Sequence, residues 1–243
     1  MRRIQWLSGA LALTLAAGCT RHPASAPALH ATATGSAIAE SSGGKQLGTP
    51  GAMLPQPLVV QVNDSQGNAV TGALVRFSAP VGMSFDPAES LTDSSGQVTT
   101  NVTLGAVSGR YELIAASNDK DGKELVLKIT ELAAGYQQQL GYELQDQYCA
   151  RCHDQESSPQ RVSNYDNLAE KPHSFTEGET LNKLSDSDLI AIISHGGPAL
   201  NRSALMPPYG ATLSKADIQA LIAYIRLVSD PPWRVTGVVY AQR

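Results

Sequence analysis

Aromatic residues make up only 5% of the 243-residue chain. Any small domain built from it therefore has few large side chains to fill a core, and a bulky cofactor would supply the missing apolar volume. Positive charge is not in excess either. The formal net charge is −4, no basic patch stands out, and nucleic-acid binding has no support. Cysteine is scarce and odd in number: Cys19, Cys149 and Cys152 do not make the paired framework of an extracytoplasmic disulfide protein, so each needs its own account. No apolar run is long enough to cross a bilayer comfortably; the longest candidate is Ile4 to Ala17. The rest of the composition, 42% hydrophobic and 16% charged, is that of an ordinary globular chain of one or two domains.

The run from Ile4 follows Arg2 and Arg3 and ends in small residues, the pattern of a secretory signal. Ala16-Ala17-Gly18 stand before Cys19 and resemble a bacterial lipobox. That resemblance implies that residues 1–18 are removed and that the Cys19 thiol takes a diacylglycerol. It also implies an exported lipoprotein, periplasm-facing or in the outer membrane, held by two or more acyl chains. Thr20 stands where an Asp would signal inner-membrane retention. Residues 19–48, rich in Ala, Ser, Thr, Gly and Pro, read as a flexible tether, with His22 and His30 as solvated linker histidines.

A period of two takes over across residues 49–132. Leu58, Val60 and Val62 share one face; so do Ala73, Val75 and Phe77, then Val98, Thr100, Val102 and Leu104. Tyr111, Leu113 and Ala115 form a fourth set, and Leu125, Leu127 and Ile129 a fifth. Turn residues punctuate these runs, which predicts an all-β sandwich. Asp64, Asp93 and Asp119 each sit beside Gly, Ser or Asn and read as turn residues, not calcium ligands. The stretches "VVQVNDSQGNAVTGALVRFSAP" and "LTDSSGQVTTNVTLGAVSGRYELIAAS" resemble a bacterial Ig-like domain of the invasin and intimin type. The resemblance implies a spacer or binding surface and brings no catalytic set.

Residues 136–232 turn helical and acidic, with 7 Lys and Arg against 12 Asp and Glu. Ser185 with Asp188, and Ser214 with Asp217, predict two helix N-termini closed by capping boxes. Leu189, Ile192 and Ile193 make the apolar stripe of the first; Leu221, Ile222 and Ile225 make that of the second. Gly196-Gly197-Pro198 and Pro231-Pro232 stop them. Residues 233–243 are left as a tail.

Within this helical sequence lies Cys149-Ala-Arg-Cys152-His153. A zinc site wants about four nitrogen or sulfur ligands, and no second Cys or His pair exists. A thioredoxin-type dithiol belongs at a strand–helix junction of an α/β sheet, which is not predicted here. Covalent haem c fits: the CxxC spacing spans the two vinyl groups as thioethers, and the next residue's imidazole reaches the iron. His153 is then one axial ligand. Candidates for the other are Met206, His195 and His173. Met206 is preferred, because Pro207 and Pro208 stiffen its loop and a capped helix follows. Arg202, Asn201 and Tyr209 are candidate partners of the propionates.

Over about residues 136–230 the chain resembles a class I (mitochondrial-type) cytochrome c, on the CxxCH motif, the Met206-Pro207 loop, and a last helix bearing Tyr224. Gly141 stands eight residues before the first cysteine. The resemblance implies that Gly141 lets the first and last helices cross closely, with Tyr224 against the contact. The expectation is therefore a multidomain protein, an N-terminal all-β Ig-like sandwich followed by an all-α cytochrome c domain. It carries one covalent haem c with His/Met ligation and serves as an electron carrier, not an enzyme. Its expected partners are redox proteins or a membrane oxidoreductase. Two alternatives are a cytochrome subunit of a larger oxidoreductase complex and an Ig-like binding or adhesion protein with a haem sensor.

Overall fold

The computed structural model describes residues 29–79, 82–155, 157 and 161–234. The signal segment, Cys19 and His22 lie outside the described residues; His30 is exposed. Two sheets face each other in the N-terminal region. One has the order β1-β3-β7-β5, from β1 (Ala37–Ser42), β3 (Leu58–Asn63), β5 (Ser84–Asp86) and β7 (Gln97–Thr103). The other runs β2-β9-β8-β4-β6, from β2 (Leu47–Gly48), β4 (Leu74–Ser78), β6 (Glu89–Leu91), β8 (Gly109–Asn118) and β9 (Glu124–Ala133). All pairings are antiparallel except β2 on β9.

The inward residues are the alternating ones. Leu58, Val60, Val62, Val75, Val102, Leu113 and Ala115 have no exposure at all and form one core between the sheets. The three aspartates build one device three times over. Asp64 accepts the amides of Gln66 and Asn68 at 2.8 and 2.9 Å. Asp93 does the same for Ser95 and Gln97, and Asp119 for Asp121 and Lys123. In each turn a glycine follows with positive φ: Gly67 (86°), Gly96 (72°) and Gly122 (78°).

The tether prediction for residues 19–48 needs correcting over its second half. Ala37–Ser42 is a strand on the edge of the first sheet, paired with β3, and Leu47–Gly48 pairs with the end of β9. Thr32 and Ala33 already donate to the Gly72 carbonyl. An edge strand is secured by its backbone hydrogen bonds. With only Ile38 of β1 half-buried, no alternation was there to read.

β9 leads to α1 (Tyr136–Leu144) across Ala134 and Gly135 alone. α1 runs into a π-helical turn, Gln145–Cys149, and then α2 (Ala150–His153). α3 (Gly178–Leu181), α4 (Asp186–His195) and α5 (Lys215–Val228) follow. Both predicted capping boxes are present. The Ser185 and Ser214 hydroxyls accept the amides of Asp188 and Asp217, whose carboxylates take the serine amides in return. Leu181, Leu189, Ile193, Leu213, Ile218, Leu221, Ile222 and Ile225 make a second core that shares no residue with the first. The predicted tail begins inside the fold, since Trp233 stacks on Arg226 at 5.0 Å and donates its amide to Ser229.

The inward stripe of β9 continues from Ile129 to Glu131, which has no exposure. Its Oε2 accepts the Gln46 amide at 2.7 Å, while Oε1 has no partner. Burial, with the nearby Glu40 charge adding to it, pushes its carboxyl from 4.5 up to about 7. A carboxyl whose folded pKa is raised favours the protonated fold, so its stabilisation is complete below pH 4.5 and lost as pH rises through 7. Urea unfolding followed by circular dichroism should show the sandwich weakening by on the order of 3 kcal/mol across that range. Glu131→Gln, which keeps the acceptor, should remove most of that dependence.

Candidate haem-binding site

The motif is carried by the α1–π–α2 run. Cys149 ends the π turn and packs against the second core, beside Tyr148, Phe175, Met206 and Tyr209. A π turn places one more residue per turn than an α-helix and is frequent at functional sites. Cys149 and Cys152 are unpaired thiols of intermediate exposure, three residues apart at the start of a helical turn, which sets them on one face. Burial, with Cys152 close by, pushes the Cys149 thiol up to about 12. A redox dithiol needs the opposite shift, toward thiolate, and no strand lies among the described residues of 136–234. Among the described residues no group of three His, Cys, Asp or Glu side chains could hold a metal ion. The raised Cys149 thiol and the missing further donors among the described residues both speak for a different use of the two cysteines.

His153 follows with its orientation fixed. Its Nδ1 lies 2.8 Å from the His173 carbonyl. A carbonyl only accepts, so Nδ1 carries the hydrogen and Nε2 holds the free lone pair, the form that ligates iron. Burial holds the ring below the usual histidine range, keeping it neutral despite the carbonyl and Asp154. The Phe175 ring covers it, centroid to centroid 4.9 Å.

The end of α2 is strapped by Arg161. Its guanidinium donates to the Ala150 carbonyl at 3.3 Å and to Asp154 Oδ2 at 2.7 Å, with Asp146 Oδ1 at 3.5 Å. The Ser163 hydroxyl donates to the Asp154 carbonyl, and the Asn164 amide to the Arg151 carbonyl at 2.7 Å. Sequence reasoning missed Arg161. One arginine in a loop rich in Ser and Pro carries no local signal, and its partners, the Ala150 carbonyl and the Asp146 and Asp154 carboxylates, lie on a separate stretch of chain.

Met206 packs against the same core as Cys149. Its loop is tied to the end of α4 by backbone bonds: Gly197 N–H to the Met206 carbonyl (3.1 Å), Tyr209 N–H to Ile193 (2.9 Å) and Gly210 N–H to Ser194 (3.0 Å). Gly196 has φ 81°, and a Cβ there would stand 2.7 Å from the Met206 oxygen, so the glycine is required twice over. His195 and His173 are not brought to the core. His195 is exposed at the end of α4. His173 gives its carbonyl to the ring edge of His153 away from Nε2 and binds Glu177 Oε2 at 2.9 Å through its own Nδ1. Arg202 is exposed, and Asn201 beside it turns the chain with φ 54°. Tyr209 donates its hydroxyl to the Tyr148 carbonyl at 2.9 Å, one residue before Cys149, so it braces the motif directly.

α1 and α5 cross at Gly141, as expected. A Cβ there would lie 2.1 Å from the Ala220 carbonyl oxygen and 2.7 Å from Tyr224 Cβ. Tyr142 and Tyr224 pack ring to ring at 5.7 Å beside the crossing.

This C-terminal unit matches a cytochrome c domain model. Residues 137–225, from α1 through most of α5, match the family model described as cytochrome c oxidase, cbb3-type, subunit III. The N-terminal region is similar to several bacterial solved structures. The D00-D0 domain of intimin shares 13% identity at a TM-score of 0.31, over 39% of this chain and 45% of that one. Invasin, titled a bacterial integrin-binding protein, shares 14% at 0.30, over 40% and 19%. The Yersinia pseudotuberculosis adhesin InvE shares 18% at 0.31, over 41% and 32%. The chain thus spans less than half the length of each of these three. No curated protein matches it.

Gly141→Ala should force α1 and α5 apart and cost about 1–3 kcal/mol, the range for overpacking. Gly109→Ala, where a Cβ meets nothing within 4 Å, is the neutral control. Thermal unfolding of the helical unit is the measurement, with the sandwich transition expected to stay in place.

Proposed function

We propose that the protein is a lipid-tethered electron carrier of the periplasm, with one haem c bound covalently through Cys149 and Cys152. The observation that carries this reading is His153. Its Nδ1–H is committed to the His173 carbonyl, so Nε2 faces a ligand as a lone pair, next to two unpaired thiols on one helical face. The bound haem supplies a one-electron couple at its iron. The chain supplies the rest. His153 is held in one tautomer, and Met206 presents a thioether from a loop whose ends are fixed on α4. Leu144, Tyr148, Phe175, Ile192 and Tyr209, half-buried against the same core as Cys149 and Met206, would offer the macrocycle apolar surface. With His153 and Met206 as its ligands the iron would be closed to substrate, and a His/Met pair would give it a higher potential than two nitrogens. Arg202 and Tyr209 are the proposed propionate contacts, and Tyr209 can donate to a carboxylate only by exchanging its bond to the Tyr148 carbonyl for it.

Cys19, outside the described residues, is the proposed lipid anchor, with redox proteins or a membrane oxidoreductase as partners. A second reading, a cytochrome subunit of a larger oxidoreductase, is favoured by the matched family model, which is that of an oxidase subunit.

Met206→Ala should open the iron to carbon monoxide in the reduced protein and abolish the weak far-red sulfur-to-iron band of the oxidised one. Met206→His should close the site again and lower the potential. A band unmoved by Met206→Ala would remove Met206 from the ligand set. Cys19→Ser should shift the protein from the membrane pellet to the soluble periplasm or block signal cleavage, as fractionation reads directly.

A further inference from the structure

Arg110 belongs to β8 of the sandwich, yet its side chain ends in the helical unit. Nη2 donates to the carbonyls of Val228 and Ser229 at 2.9 and 3.1 Å, and Nη1 lies 3.5 Å from Asp230 Oδ2. A cation at the C-terminus of α5 also suits the helix dipole. The segment it grips has a second partner. The Asp230 amide donates to the Thr176 carbonyl at 2.8 Å, and the Gly178 amide to the Asp230 carbonyl at 2.9 Å, a parallel bridge. Gly178 permits this approach, because a Cβ there would stand 2.3 Å from the Pro231 oxygen. The bridged turn is a unit of its own. Glu177 N–H donates to the Ser174 carbonyl at 3.0 Å, and the His173 ring holds Glu177. From this turn come the carbonyl on His153 Nδ1 and the Phe175 ring that covers the imidazole.

Resting on the haem reading of His153, we propose that Arg110 is a positioning residue for the haem centre, through which the β-sandwich sets the orientation of the proximal imidazole. The path has three contacts: Arg110 to residues 228–230, these to Thr176 and Gly178, and that turn to His153. The sandwich is then more than a spacer.

The test uses the full-length, haem-loaded protein and three variants. Arg110→Ala removes the grip; Arg110→Lys keeps the charge but loses the fork that serves two carbonyls. Lys128→Ala removes one positive charge from the same sheet at an exposed pair with Glu112, as a control for charge alone. Amide hydrogen exchange at Gly178 and Asp230 should quicken about tenfold in Arg110→Ala and by less in Arg110→Lys. The paramagnetically shifted His153 ring resonances of the oxidised protein should move in both, while Lys128→Ala leaves exchange and resonances alone. If Arg110→Ala does not fold, Arg110→Lys decides. Haem-loaded Arg110 variants with native exchange and native His153 resonances would overturn the proposal. A protein that never acquires haem would instead sink the reading of the site, whatever the exchange rates.

Discussion

In the proposed haem site, the hydrogen bond from His153 Nδ1 to the His173 carbonyl is the contact on which the rest depends. Without it the imidazole could turn or change tautomer, and Nε2 would no longer be a dependable ligand. Much of the helical unit is arranged to keep it. Arg161 and the 163–164 segment hold the end of α2 on one side of the bond. The Ser174–Gly178 turn, bridged to Asp230, holds the carbonyl on the other. Most of these partners are backbone groups in short loops, where helix termini leave donors and acceptors without intrahelical bonds. The strapping therefore satisfies the ends of α2 and α5 at the same time as it fixes the ligand.

A second constraint concerns volume. The helical unit has a compact aliphatic core, and packed against it with Cys149 are side chains that are only half-buried: Leu144, Tyr148, Phe175, Ile192, Met206 and Tyr209. Apolar groups in that state gain most from a further apolar surface laid against them. A flat, largely apolar macrocycle is such a surface. On the proposed reading, the prosthetic group would lie against these half-buried side chains and complete the core.

Much of this was legible in the sequence where the signal is local. Alternation found the inward faces of β3, β4, β7 and β8, and serine followed by aspartate at three found both helix starts. The spacing of Cys149, Cys152 and His153 carries its chemistry with it, and the Gly141 crossing followed from the resemblance. Other features were not legible, each for a physical reason. β1 and β2 lie in an Ala-, Ser- and Gly-rich stretch because edge strands are specified by their neighbours' backbone, not by an apolar face of their own. Glu131 continues an inward stripe that apolar counting ends at Ile129. Arg110 acts on main-chain carbonyls more than a hundred residues away, and Arg161 and the His173 carbonyl act on groups outside their own local pattern, which no side-chain periodicity records.

The central claim is that Cys149 and Cys152 carry a haem with His153 beneath it. Mass spectrometry of the 147–155 peptide, from protein exported in cells with cytochrome c maturation machinery, tests it most directly. The account predicts one haem on this peptide, joined by thioethers at both cysteines and retained after denaturation and acid–acetone extraction. A peptide recovered with free thiols, or with a Cys149–Cys152 disulfide, would contradict it.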